Sequence, residues 1–406
     1  MERTIKPLIM EGDHNNAFLP DDIMINILKR LPVKSLIRFQ CVCKHWRNLL
    51  KTPSFIADHL HHSGHQNPSL LFQWHQSKSS NYQLSLLDRN MQLLEVHNAP
   101  LIDYFSDVHI FGSSNGLLCL LLIDDDSSYR SILLWNPATR EARHVPITMS
   151  DFQGVCDIGF GYSPIVDDYK IVIIYSRRDG APFKVNQVEV YSLSTKSWKE
   201  IEFGVLEGVS VSTETVTANG SMFWFGFNVD EDDDEDIYEF DDYGSIVSFD
   251  IANEVFTLIP MPDIGFCREE ILTVYENKLA VLCNKSTRSF DWVEMWVLTE
   301  SASDESGERW RWIDKYYSND FVGLSCVYPM IVWVNQIVCE PQPPFESDED
   351  EINGEAKVVL YLSHAITNEF KKISIRRYGA GHTIYNYVES LVSIGNVKIE
   401  EIDPKF

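Results

Sequence analysis

LLWNPATREARHVPI (133–147) reads as a strand, a polar turn and a second strand, and the pattern returns along the chain. EVYSLSTKSWKEIEF (189–203), VSFDIANEVFTLIP (247–260), LSLLDRNMQLLEV (84–96) and VLYLSHAITNEFKKISI (359–375) repeat it. In EMWVLTE (294–300) the partner strand RWRWI (309–313) is delayed by the insert SASDESGE. The first strands recur about every 50–60 residues, a spacing within the range of propeller blades.

Between these units lie further hairpins: SSNGLLCLLLI, GFGYSPIVDDYKIVIIY, TANGSMFWFGF, YENKLAVLCN and VNQIVCE. Their turns, Asn115-Gly116, Asp167-Asp168, Asn219-Gly220 and Glu276-Asn277, carry the small polar residues that tight hairpins need. Six units of about four strands predict a large all-β domain over 69–400, a six-bladed β-propeller, with a two-sheet sandwich as the alternative. TIYNYVESLVSI (383–394) is a lone terminal strand and the first unit is one strand short. The two ends are therefore expected to pair and close the ring, which removes an exposed edge.

The 406 residues are 44% apolar and 23% charged, a balance that excludes a mostly disordered chain. The longest apolar run, Leu117 to Ile123, is far short of the roughly 20 residues a membrane helix needs. The first sixteen residues lack an apolar signal segment and read as a disordered extension, with Met10 as an alternative start. A net charge of −26 disfavours nucleic acid and anionic membranes as partners. The eight cysteines form no C-x-x-C pair, so they read as reduced, mostly buried thiols of a cytoplasmic or nuclear protein.

Charge divides the chain. Residues 17–60 carry seven basic groups against three acidic ones, a net of +4, while 61–406 carry −29. The basic head reads as helical. Pro20, Asp21 and Asp22 suit a helix start, Ile23, Ile27, Leu28 and Leu31 follow at helical spacing, and Pro32 re-aims the chain. Leu36, Phe39 and Cys43 mark one stripe of VKSLIRFQCVC, with Val33, Ile37 and Cys41 on another. Trp46, Leu49 and Leu50 form a third short stripe, and Thr52-Pro53 a cap with a first-turn proline. The surplus apolar face packs either on another protein or on the rest of this chain. HLHHSGHQNP (59–68) reads as a solvated connector, with 61–68 as the linker proper and no metal site at His59, His61, His62 and His65.

FLPDDIMINILKRLPVKSLIRFQCVCKHWRNLLKTPSF (18–55) resembles an F-box, the adaptor-binding module of cullin-based ubiquitin ligases. The resemblance implies that Leu19, Pro20, Ile23, Ile27, Leu28, Leu31, Pro32, Leu36, Phe39, Cys43 and Trp46 form the surface for a Skp-type adaptor. That adaptor family is acidic, which agrees with the head's positive charge. For Trp46 and Ile23 a purely local core role is the competing reading. The body lacks the doubled glycine of kelch repeats and the Trp-Asp endings of WD repeats. It resembles instead the F-box-associated domain of plant F-box proteins, on SSNGLLCL, LWNPATRE, GFGYSPIVDDYKIV, VEVYSLSTKSWKEI, SIVSFDIANEVFTLIP, ENKLAVL, MWVLTE and YVESLV.

Catalytic and cofactor motifs do not emerge. Gly159-Phe160-Gly161 lacks a third glycine and a following helix, and no Gly-x-Ser-x-Gly, His-Glu-x-x-His or phosphate loop occurs. Asp167 and Asp168 read as turn residues before they read as an acid/base pair. Ten of thirteen residues from Asp230 to Asp242 are acidic, as are five of six from Glu346 to Glu351, and both stretches are expected as mobile loops. Asp230, Glu231, Asp232, Asp233, Asp234, Glu235 and Asp236 are the candidate contacts for a basic client, against a merely solubilising role. The expectation is a non-catalytic substrate receptor without cofactor or metal. It has a Skp-type adaptor, and through it a cullin, on one side and a client on the other. The narrower alternative is a pollen S-locus F-box protein recognising basic ribonucleases. The outsider is a propeller enzyme or a ligase-independent scaffold.

Overall fold

The structure is a computed structural model. It describes residues 20–75, 83–98, 105, 107–124, 129–148, 154–177, 184–228, 244–286, 291–300, 310–318, 327–341, 357–365, 367, 369–376 and 381–395. Among these residues, four helices precede six four-stranded antiparallel sheets. The sheets are the six blades expected from the repeat, and the sandwich alternative falls.

In five blades the four strands follow in chain order, whereas the first blade takes its inner strand from the far end of the sequence. Gly381–Tyr387 pairs with Ser69–His75, with Leu71 opposite Tyr385, so the ring closes as predicted. The strand ends at Tyr387, however. The remainder of the expected strand, residues 388–394, leaves the sheet.

Six wedges between neighbouring blades make the core, one apolar cluster per interface. This explains the longest apolar run. Leu118, Leu120 and Leu122 face the first blade, while Leu117, Cys119 and Leu121 face the third. Alternate side chains of a strand point to opposite faces, and here both faces are dry. Ile171 and Ile173 against Val172 and Ile174 repeat the division one blade later.

The outer turns are repeated in hydrogen bonds as well as in sequence. Asn136 Oδ1 accepts from the Ala138 and Thr139 amides, and Asp250 Oδ1 from Ala252 and Asn253. Arg140, Lys196 and Glu254 then take positive φ and return their amides to Asn136, Ser192 and Asp250. Trp198 Nε1 donates to the Pro146 carbonyl and Trp312 Nε1 to the Pro260 carbonyl, each at 2.8 Å and across 52 residues. These bonds tie the outer edge of one blade to the next.

The head is α1 (Asp21–Leu28), α2 (Val33–Phe39), α3 (Lys44–Leu49) and α4 (Pro53–Gln66). Two expectations change here. The helix through VKSLIRFQCVC stops at Phe39, and Cys43 instead caps α3, its Sγ accepting from the Trp46 amide. The histidine-rich connector is mostly helix. Thr52 Oγ1 accepts from the Phe55 amide and Pro53 opens α4, which runs on through the histidines and leaves only Asn67 and Pro68 as linker. His59 is 1% exposed, stacked on Phe55, with Nε2 donating to the Leu31 carbonyl at 3.0 Å. One hydrogen bond thus lets a residue that looked like linker serve as core.

The thiol expectation also changes at one pair. Cys267 and Cys283 are joined as a disulfide, with 6.1 Å between Cα atoms. The Arg268 amide donates to the Asn284 carbonyl, which carries the connector before the fifth blade alongside its second strand. Cys119 and Cys339 are free and buried, as expected, whereas Cys41 and Cys43 are exposed.

Candidate functional site

The head builds a small core from Met24, Leu28, Val33, Leu36, Leu50 and Phe55. A module of about 40 residues barely stabilises itself. Here Leu391, from beyond the last strand, completes the cluster, and Ala138 of the second blade packs against it. The inner face of the head is therefore covered by its own chain.

Among the described residues, nothing covers the outer face. Ile23 and Ile27 on α1 are each 48% exposed, and Val42 after α2 is 62% exposed. Pro20 and Pro32 are exposed beside them, and Leu31 is half-buried. Phe39 and Trp46 are half-buried against each other, ring centroids 5.4 Å apart, with exposed Cys43 between their helices. Leu28 and Leu36, at 1% and 0% exposure, lie in the core and are closed to any partner. Leu19 lies outside the described residues. Arg30, Lys34, Arg38, Lys44, Arg47 and Lys51 of the head are all exposed. Burial holds the His59 imidazole below its ordinary pKa, against the opposing pull of its bond to Leu31. The corner carrying Leu31 and Pro32 thus rests on a neutral ring.

Antiparallel order sorts the connections of the propeller to two ends. Turns between first and second, and third and fourth, strands of a blade share the end that holds Asn136 and Ala138, where the head sits. Connections between second and third strands leave from the opposite end. The acidic stretches join Ser221–Asn228 to Ser245–Asp250 and Gln336–Pro341 to Lys357–His364, so both attach away from the head. Asp230, Glu231, Asp232, Asp233, Asp234, Glu235 and Asp236 themselves lie outside the described residues, as do 346–351.

Inside the propeller, three carboxyls on inner strands stand above their usual range. Asp157 is 2% exposed, its Oδ1 has no hydrogen-bond partner, and burial pushes its pKa up to about 8. Glu214 keeps contact with solvent but is raised by partial desolvation, and Glu269 by desolvation and then by the charge of Glu214. Asp167 and Asp168 brace turns. Asp167 accepts from Tyr162 Oη, while Asp168 takes the Ser192 hydroxyl and the Ser194 amide. Among the described residues no three His, Cys, Asp or Glu side chains gather at metal-binding distances. No described helix is long and apolar enough to cross a membrane.

Residues 71–394 match the family described as "F-box associated beta propeller domain", and residues 18–58 match "F-box domain". A putative F-box protein of Arabidopsis thaliana is 31% identical over 196 residues, covering 46% of this chain and 47% of that protein. An F-box/kelch-repeat protein of the same plant is 31% identical over 203 residues, covering 47% and 52%. The Arabidopsis F-box protein CPR1 is 26% identical over 317 residues, 70% of each. The chain spans about half the length of the first two relatives.

Proposed function

The chain belongs to the F-box-associated β-propeller family and carries an F-box, and from that premise we propose that it is the substrate-recognition subunit of an SCF-type ubiquitin ligase. The head binds a Skp-type adaptor and through it a cullin. The propeller holds a client protein, and ubiquitin is transferred on other subunits. The chain acts by raising the client's effective concentration beside the conjugating enzyme, with no catalytic residue of its own.

The observation that carries this reading is the outer face of α1. Ile23 and Ile27 stay half-exposed although the head already has a core and a covered inner face. The head as a whole carries a net charge of +4 with Arg30, Lys34, Arg38, Lys44, Arg47 and Lys51 exposed, although Asp21 and Asp22 are exposed on α1 itself. That balance suits an acidic adaptor. Leu28 and Leu36 contribute by shaping the surface from within, while Pro20, Leu31 and Pro32 extend it. An acidic body of −29 beyond residue 60 favours a basic client. That charge is also what the pollen S-locus alternative rests on.

The test is co-purification with a Skp-type adaptor. Ile23→Asp with Ile27→Asp is expected to weaken the complex roughly 1,000-fold, since buried interface anchors contribute about 2 kcal/mol or more each. The melting transition of the propeller should not move. Undiminished adaptor binding by the folded double variant would overturn the reading. Presenting the same complex with a basic ribonuclease tests the narrower alternative, which fails if no complex forms at physiological salt.

A further inference from the structure

After Tyr387 the chain does not trail away; it crosses the head-side end of the second blade and enters the head. Asn136 Nδ2 donates to the carbonyls of Ser390 and Val392 at 3.1 and 2.8 Å, while its Oδ1 holds its own turn. Glu141 Oε2 accepts from the Ser393 hydroxyl at 2.8 Å and the Ile394 amide at 3.0 Å. Ile394, 2% exposed, plugs the wedge between the second and third blades. Gly116, at φ +79°, lies so close that a Cβ there would come within 2.5 Å of Ser390 Cβ and the Val388 carbonyl. The segment is thus fixed at both ends and pressed onto the propeller between them.

Its middle reaches the head in two ways. Leu391 is 7% exposed within the helical core. Glu389 Oε2 accepts from the Val33 amide at 3.1 Å. The first amides of a helix have no intrahelical acceptor, and α2 is preceded by Pro32, which has no capping side chain. A carboxylate 356 residues away in sequence therefore does what an N-cap residue normally does.

We propose that residues 388–395 form a strap that sets the orientation of the head on the propeller, with Glu389, Leu391 and Asn136 as its positioning residues. A head joined only through Asn67 and Pro68 would swivel about one covalent point. A second, non-covalent attachment removes that freedom. Resting on the receptor reading, the consequence is that the adaptor face and the far end of the propeller keep one separation, so a client is presented in one geometry rather than over a range.

The experiment uses the full chain with a donor and an acceptor dye on exposed Lys51 of the head and exposed Lys196 of the propeller. The parent is expected to give one narrow distance distribution. Glu389→Ala with Leu391→Ala should at least double its width and speed amide exchange in α2 about tenfold, with the propeller transition unmoved. Glu389→Ala alone, which leaves the core intact, should give an intermediate width, and Glu389→Gln, which keeps an acceptor, should restore the parent value. A double-variant distribution superimposable on the parent's, or a parent distribution already broad, overturns the strap. Adaptor co-purification by the parent is scored separately. Its failure removes the receptor reading and leaves the distance result standing.

Discussion

The head and the propeller solve the problem of a dry core in opposite ways. The propeller divides its apolar residues among six wedges, each closed by two neighbouring sheets of similar make. The head has one small cluster, which draws Leu391 and Ala138 from outside its own segment. In the first region each unit is stabilised by a neighbour like itself. In the second, stability depends on a segment that arrives at the end of the chain. The head, by contrast, depends on Leu391 from a terminal segment it does not contain.

The largest effect expected from breaking this contrast is truncation. Deleting from Gly381 onward removes both the closing strand and the strap, and it should leave an open sheet edge that aggregates. Deleting from Val388 should keep the ring closed while it loosens the head and takes the Ile394 plug from the wedge between the second and third blades. Size-exclusion chromatography with a melting curve separates the two. A chain lacking everything from Gly381 that remains monomeric with an unchanged transition would contradict the ring-closure account.

Next in size is the core of the head. Leu36→Ala removes a wholly buried side chain and should cost the head about 2–5 kcal/mol, enough to unfold it, while the propeller transition stays in place. One transition shifting for both regions would show that they unfold as a single unit.

A third, smaller effect lies within the propeller and depends on pH. The folded state holds the Asp157 proton up to about pH 8, whereas an unfolded carboxyl releases it near pH 4. Over that window the unfolded chain binds fewer protons, so stability falls as pH rises. Asp157→Asn should remove the slope. It should stabilise the propeller by on the order of 5 kcal/mol at pH 8.5, with the advantage fading toward pH 4. Parallel stability curves for parent and variant across that range would show that the carboxyl is not charged at a cost.

The propeller was legible because its signals are local. Asn136, Ser192 and Asp250 each close a turn within four residues, so the repeat can be seen without any knowledge of the partner strand. That α1 is a helix was legible for a similar reason, since Ile23 and Ile27 are one helical turn apart. In the histidine run polarity does not imply exposure. His59 is buried through one bond to the Leu31 carbonyl, 28 residues earlier. Leu28 and Leu36 carried the same apolar signal as Ile23 and Ile27, and helical spacing alone does not say which of two stripes a fold covers.

From sequence alone came the number of blades, the pairing of the two ends and the separation of a basic helical head from an acidic body, all of them set by short-range pattern and summed charge. Tertiary structure decided which apolar stripe of the head stays open, that Cys267 meets Cys283, and that Glu389 caps a helix near the other end of the chain. Such contacts depend on how separate elements are brought together in space. A glutamate in a terminal segment carries no mark of the amide it will meet until closure of the ring carries it there.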